Sequence, residues 1–155
     1  MAENLRFNAP GSVVNPDNPM PEFGRLYNGI SAQTACPEGW HLPSDAEWNE
    51  MEMFLGMPAA DTAKIFWRGK HGTKLKSVIG WDEGFGTNSS GFNAYPAGFY
   101  DPGYFNGLGL SVGFWSSTKG DRAWVRFLGA PKEGVNRFDD NIYKGGLVSC
   151  RCVKS

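Results

Sequence analysis

Apolar positions recur at helical spacing in one clear place. Trp48, Met51 and Leu55 stand at i, i+3 and i+7, and the spacing predicts a helix over 45–55 with one apolar face. Glu47, Glu50 and Glu52 are expected on its other faces. Ser44 followed by Glu47 reads as a capping box, each residue's side chain accepting the other's backbone N–H. Pro43 and Trp48 are placed to pack across that start, and Asp45 and Glu47 put negative charge at the helix's positive end. Gly56 and then Pro58 stop it. Upstream, "GISAQTAC" reads as a short helix that ends before Pro37.

After residue 60 the helical period is lost. Short segments follow with glycine between them: "KLKSVIGW", "GFNAYPAGFY", "GFWSST", "AWVRFLG", "NRFDDNIY" and "LVSCRCV". Several alternate polar and apolar residues as half-buried strands do. Helices early and strands late give an α+β class with small antiparallel sheets. Residues 1–23 hold Pro10, Pro16, Pro19 and Pro21 with few large apolar side chains, and read as an extended arm. Residues 24–155 then form the folded domain.

Composition narrows the function classes. The 155 residues suit one domain, and a net charge of −1 provides no global field toward nucleic acid or anionic membrane. The 21 glycines and 10 prolines require many turns. No apolar run is long enough to span a bilayer, and the opening residues lack the basic-then-apolar order of a secretion signal. Cysteines stand at Cys36, Cys150 and Cys152. A Cys36–Cys152 bridge would imply an oxidising compartment, whereas three buried thiols fit the cytosol equally well; spacing alone does not fix the pairing.

Five ordered segments, "ACPEGWHLPSDAEWNEM", "KLKS", "NSSGFNAYPAGFY", "GFWSST" and "CRCVKS", together resemble the Fibrobacter succinogenes major paralogous domain. The resemblance covers roughly Tyr27 to Lys154. It implies a C-type-lectin-like fold, two helices packed on small sheets, related to the formylglycine-generating-enzyme branch of that fold. It also implies a secreted or surface-displayed bacterial domain with Cys36 bridged to Cys152, leaving Cys150 as a buried free thiol. Trp40, His41 and Trp48 then form the structural floor. Some relatives of this fold are variable proteins of diversity-generating retroelements, in which a segment after the "WSST"-like motif forms the ligand face. Carried onto this chain, that implication selects Val125, Phe127, Asn136, Phe138, Asp139, Asp140, Asn141 and Tyr143. The mixture of rings, amides and carboxylates suits adaptable recognition.

Other chemistries weigh less. Asp139, Asp140 and Asn141 could ligate calcium, as could Asp82, Glu83 and Asn88, but both stretches read more simply as polar turns, so no cofactor is expected. His41 and His71 lack the ligand spacing of a zinc site. "KIFWRGKHGTKLK" sets lysines around Phe66 and Trp67 and could meet a phosphate backbone or an acidic glycan; a solvated loop is the plainer reading, and no nucleic acid is expected. No nucleophile elbow and no phosphate-cradling loop occurs. The expectation is a non-enzymatic module that binds a protein or glycan on a cell surface. A structural domain of a bacterial or phage surface array, and an enzyme of the formylglycine-generating type, are the alternatives.

Overall fold

A computed structural model describes residues 3–84, 86–117, 123–139 and 145–155. Helices are few and short: α1 (Gly29–Ala32), α2 (Asp45–Phe54) and α3 (Gly72–Leu75). Six strands make one sheet: β2 (Phe66–Arg68), β3 (Ala97–Asp101), β4 (Tyr104–Leu108), β5 (Ser111–Trp115), β6 (Trp124–Gly129) and β7 (Val135–Asp139). Their spatial order is β2-β7-β6-β5-β3-β4, antiparallel except where β3 meets β5. A separate ribbon pairs β1 (Trp40–His41) with β8 (Val153–Lys154). The molecule is thus mixed α+β and mostly sheet.

The α2 start forms as its sequence directs. The Ser44 hydroxyl accepts the Glu47 N–H at 3.2 Å, and the Glu47 carboxylate accepts the Ser44 N–H at 2.8 Å. Side chains alternate across the sheet, so each face carries its own core. On the α2 side Trp48 packs with Phe92 and Phe114, together with Leu75, Val112, Leu128 and Val135. On the opposite side Trp115, Val125, Phe138 and Val148 pack with Tyr27 and Ala32. Gly113 is required here: a Cβ would stand 2.5 Å from the Phe127 ring, which lies across it.

Cys36 and Cys152 are bridged, with Cα atoms 5.8 Å apart, and the β1–β8 ribbon runs beside them. Cys150 is a buried free thiol whose pKa burial pushes well up, which suppresses the reactive thiolate. The floor is made differently from expectation. Trp48 is buried, but Trp40 is exposed, because its two-residue strand lies at the surface of the ribbon.

Residues 3–23 are not a free arm. Asn4 is buried, donating to the Phe23 carbonyl at 3.0 Å and accepting from Arg151 Nε at 2.8 Å. The Leu5 N–H donates to the Cys150 carbonyl, and Val13 and Leu26 exchange backbone hydrogen bonds. The prolines keep this segment out of helices, yet its backbone donors still find partners on the body. Carbonyl oxygens of Phe92 and Asn93, the Asn4 side chain and the Phe92 ring hold the Arg151 guanidinium. Burial lowers its pKa to about 9, so it remains charged at neutral pH.

The bridge closes a loop across a sequence separation of 116 residues. Reducing it, or replacing both cysteines by alanine, should destabilise the chain by about 4–5 kcal/mol in the chain-entropy limit. Urea unfolding with and without reductant measures this, and coincident curves would refute it.

Candidate functional site

The sheet face toward α2 is occupied by charge. Asp45, Asn49 and Glu52 stand at i, i+4 and i+7, a polar stripe beside the apolar one, and all three meet arginines of the sheet. Glu52 is fully buried: one oxygen accepts from Arg68 and Arg126 at 2.6 Å each, the other lies 2.9 Å from His71 Nε2. Asn49 Oδ1 accepts from Arg68 and Arg126 at 3.1 Å each. Asp45 receives Arg137 through two nitrogens, at 2.9 and 2.7 Å, and Arg126 at 2.7 Å. The Arg137 guanidinium lies 3.4 Å from the Trp124 ring centroid. Arg126 and Arg137 are direct cross-strand neighbours, a repulsive pair unless carboxylates lie between them. Glu52 therefore does not lie on a solvent face as its period suggests; buried arginines draw it inward.

Burial alone would raise the Glu52 pKa, but the His71 hydrogen bond and the charges of Arg126 and Arg68 outweigh it, and the net shift is downward. Asp45 shifts downward for the same reason, against burial, through Arg137 and Arg126. This is a structural lock. It holds β2, β6 and β7 rigidly from behind.

The opposite face carries four of the residues selected from sequence. Val125 and Phe138 are buried there, Val125 completely, packed with Trp115 and Tyr27; they are core residues, not contacts, because the N-terminal segment and residues 147–150 cover that end. Phe127 is half-buried between Phe99 and Phe138, with ring centroids 5.5 Å from each. Asn136 is half-buried, and its Oδ1 is an enclosed acceptor with no hydrogen-bond partner. Asp139 ends β7 half-buried, but on the α2 side, because it stands opposite Trp124 two positions beyond Arg137. Asp140, Asn141 and Tyr143 lie outside the described residues, and so does the calcium reading that used Asp140 and Asn141. Asn88, from the other oxygen-rich stretch, spends its Oδ1 on the Asn93 N–H, as a turn residue does.

The register adds one residue that sequence did not group with these. Trp67 stands opposite Asn136, and Asn136 stands opposite Phe127, so the three share one face across β2, β7 and β6. Trp67 is exposed, as is its neighbour Phe66, whose φ of 66° is rare for a side chain of this size and costs on the order of 1–2 kcal/mol. The stretch read as a solvated loop is thus partly structural: Arg68, His71 and Lys76 are buried within it.

A groove of 650 Å³ lies elsewhere, floored by Met51, Leu55 and Phe92 with Glu47 and Glu50 at its rim. Among the described residues no group of three or more His, Cys, Asp or Glu side chains could hold a metal. Among them, too, no helix is long and apolar enough to cross a membrane.

The sequence model of the Fibrobacter succinogenes major domain matches residues 1–154, and the chain belongs to that family. The match includes residues 1–23, in agreement with their packing into the body. No curated protein and no solved structure matches the chain.

Replacing Glu52 by alanine leaves Arg68 and Arg126 buried without their carboxylate and should cost about 3–5 kcal/mol by urea unfolding at neutral pH. Both acids have depressed pKa values in the folded chain. Their stabilisation is therefore complete above the unfolded value of about 4, and is lost as pH falls through the folded values. Unfolding measured from pH 7 downward should show this acid loss, and Glu52→Gln should show less of it; equal pH profiles would count against the lock.

Proposed function

We propose that the chain is a non-enzymatic recognition module with a C-type-lectin-like fold. It binds a surface protein or glycan through the half-exposed end of the sheet face turned away from α2. The observation that carries this reading is the pairing of a rigid back with an open front. Three buried arginines lock β2, β6 and β7, while Phe127 and Asn136 stay half-exposed on the other side. A fixed backbone with varied side chains on one face suits binding in which the front can change without loss of the fold. It also suits a variable protein of a diversity-generating retroelement.

Two further features support the reading. Cys152 is bridged and Cys150 is buried, so the Cys-X-Cys pair is not available for formylglycine-generating-type chemistry. The bridge is compatible with an oxidising, extracellular location, and secretion or surface display follows from the same proposal.

Two variants test it, screened with the wild type against arrays of bacterial glycans and surface proteins. Asn136→Ala removes a buried acceptor that has no partner, so its melting should match or slightly exceed the wild type. Phe127→Leu keeps most of the apolar volume. Each should weaken binding to the captured ligand about tenfold. Unchanged binding in both would sink the assignment of this face.

A further inference from the structure

We propose that Trp67 and Lys132 form a platform for an acidic saccharide, a sugar residue bearing a carboxylate, at the β2 edge of this same face. The proposal rests on the recognition reading above and names its ligand class. Trp67 is 42% exposed on an edge strand, in the cross-strand row that continues to Asn136 and Phe127. Its ring lies over the end of β6, where a Cβ at Gly129 would stand 3.2 Å from it. The absence of a side chain at Gly129 lets the indole lie close along the sheet instead of standing away from it. The Lys132 ammonium sits 5.6 Å from the ring centroid.

Both groups are presented by a fixed frame. Lys76, buried beneath them, donates its ammonium to the carbonyls of Gly129 and Lys132 at 2.7 Å each. The Ala130 N–H is bonded to the Leu110 carbonyl, and the Gly72 N–H to that of Glu133. The buried Lys76 ammonium, which also lies over the Trp81 ring, holds the 129–132 segment, and with it Lys132, beside Trp67.

The chemistry follows from the pair. The apolar C–H face of a pyranose covers an indole ring, and this burial is sequence-tolerant in the way base stacking is. The Lys132 ammonium, which lies over one side of the ring, adds a charge that a carboxylate-bearing sugar answers and a neutral sugar does not. Glu133, exposed beside Lys132 in sequence, is the opposing charge. Lys64 is spent on Asp61, at 2.5 Å. One ring with one cation over it matches one carboxylate per sugar. A nucleic acid, with a phosphate on every nucleotide, calls for a longer cationic track.

The test titrates the full chain with oligomers of galacturonate, glucuronate and mannuronate, their neutral counterparts, and oligo-dT, following the Trp67 indole N–H by NMR. At least one uronate should bind, more tightly than its neutral counterpart and more tightly than oligo-dT. Trp67→Ala should weaken that binding about tenfold or more. Lys132→Gln, at an exposed position that tolerates change, should weaken it about two- to fivefold and abolish the preference for the acid. Melting separates either effect from misfolding. No uronate binding, equal binding of the neutral sugar, tighter binding of oligo-dT, or full binding by Lys132→Gln would each overturn the platform. If Asn136→Ala and Phe127→Leu lose a captured ligand that Trp67→Ala retains, the recognition face stands and the platform alone falls. If only Trp67→Ala and Lys132→Gln lose binding, the platform stands without that face.

Discussion

The pairing of two carboxylates of α2, Glu52 buried and Asp45 half-buried, with three sheet arginines is the interaction on which the rest is built. Arg126 and Arg137 are cross-strand neighbours, and Arg68 approaches them from the edge. Without Asp45 and Glu52 this face would concentrate like charge inside the protein, and β6 and β7 could not pair in this register. With them, the arginines become multivalent donors that tie helix, edge strand and central strands together. Their reach extends to loop carbonyls, since Arg68 also donates to Thr62 and Arg137 to Ala63 and Lys64. Such a lock favours one arrangement over others as much as it adds net stability, because desolvation offsets most of the attraction.

The second constraint is the meeting of the chain ends. The Cys36–Cys152 bridge, the β1–β8 ribbon and Arg151 draw the last residues against both the N-terminal segment and the 92–93 turn. The N-terminal segment has almost no regular structure of its own, but it covers one end of the front face and buries Val125 and Phe138. That coverage decides which part of the face stays open. The half-exposed row of Phe127, Asn136 and Trp67 is what remains where the cover stops.

Several elements were legible in the sequence because their causes are local. The capping box, the α2 limits within a residue, and the alternation of β6 and β7 depend on neighbours a few positions apart. The pairing of Cys36 with Cys152 was implied by family resemblance and is present. Of the five named residues in the described region, Phe127 and Asn136 are half-exposed on one face, Val125 and Phe138 are core, and Asp139 falls on the α2 side of the sheet. Alternation says which residues share a side; it does not say whether another segment covers that side.

What the sequence determined by itself, then, was the helix with its caps, the strand-rich later half and its side-chain parity, and membership of a family. The tertiary structure decided that Glu52 points inward, that residues 3–23 belong to the body, and that Trp67 joins Asn136 and Phe127 in one row. Each of these depends on a partner many residues away: Arg126 for Glu52, Arg151 for Asn4, Asn136 for Trp67. Such partners meet only after the sheet has formed, since burial and register belong to the assembled chain and not to any stretch of it.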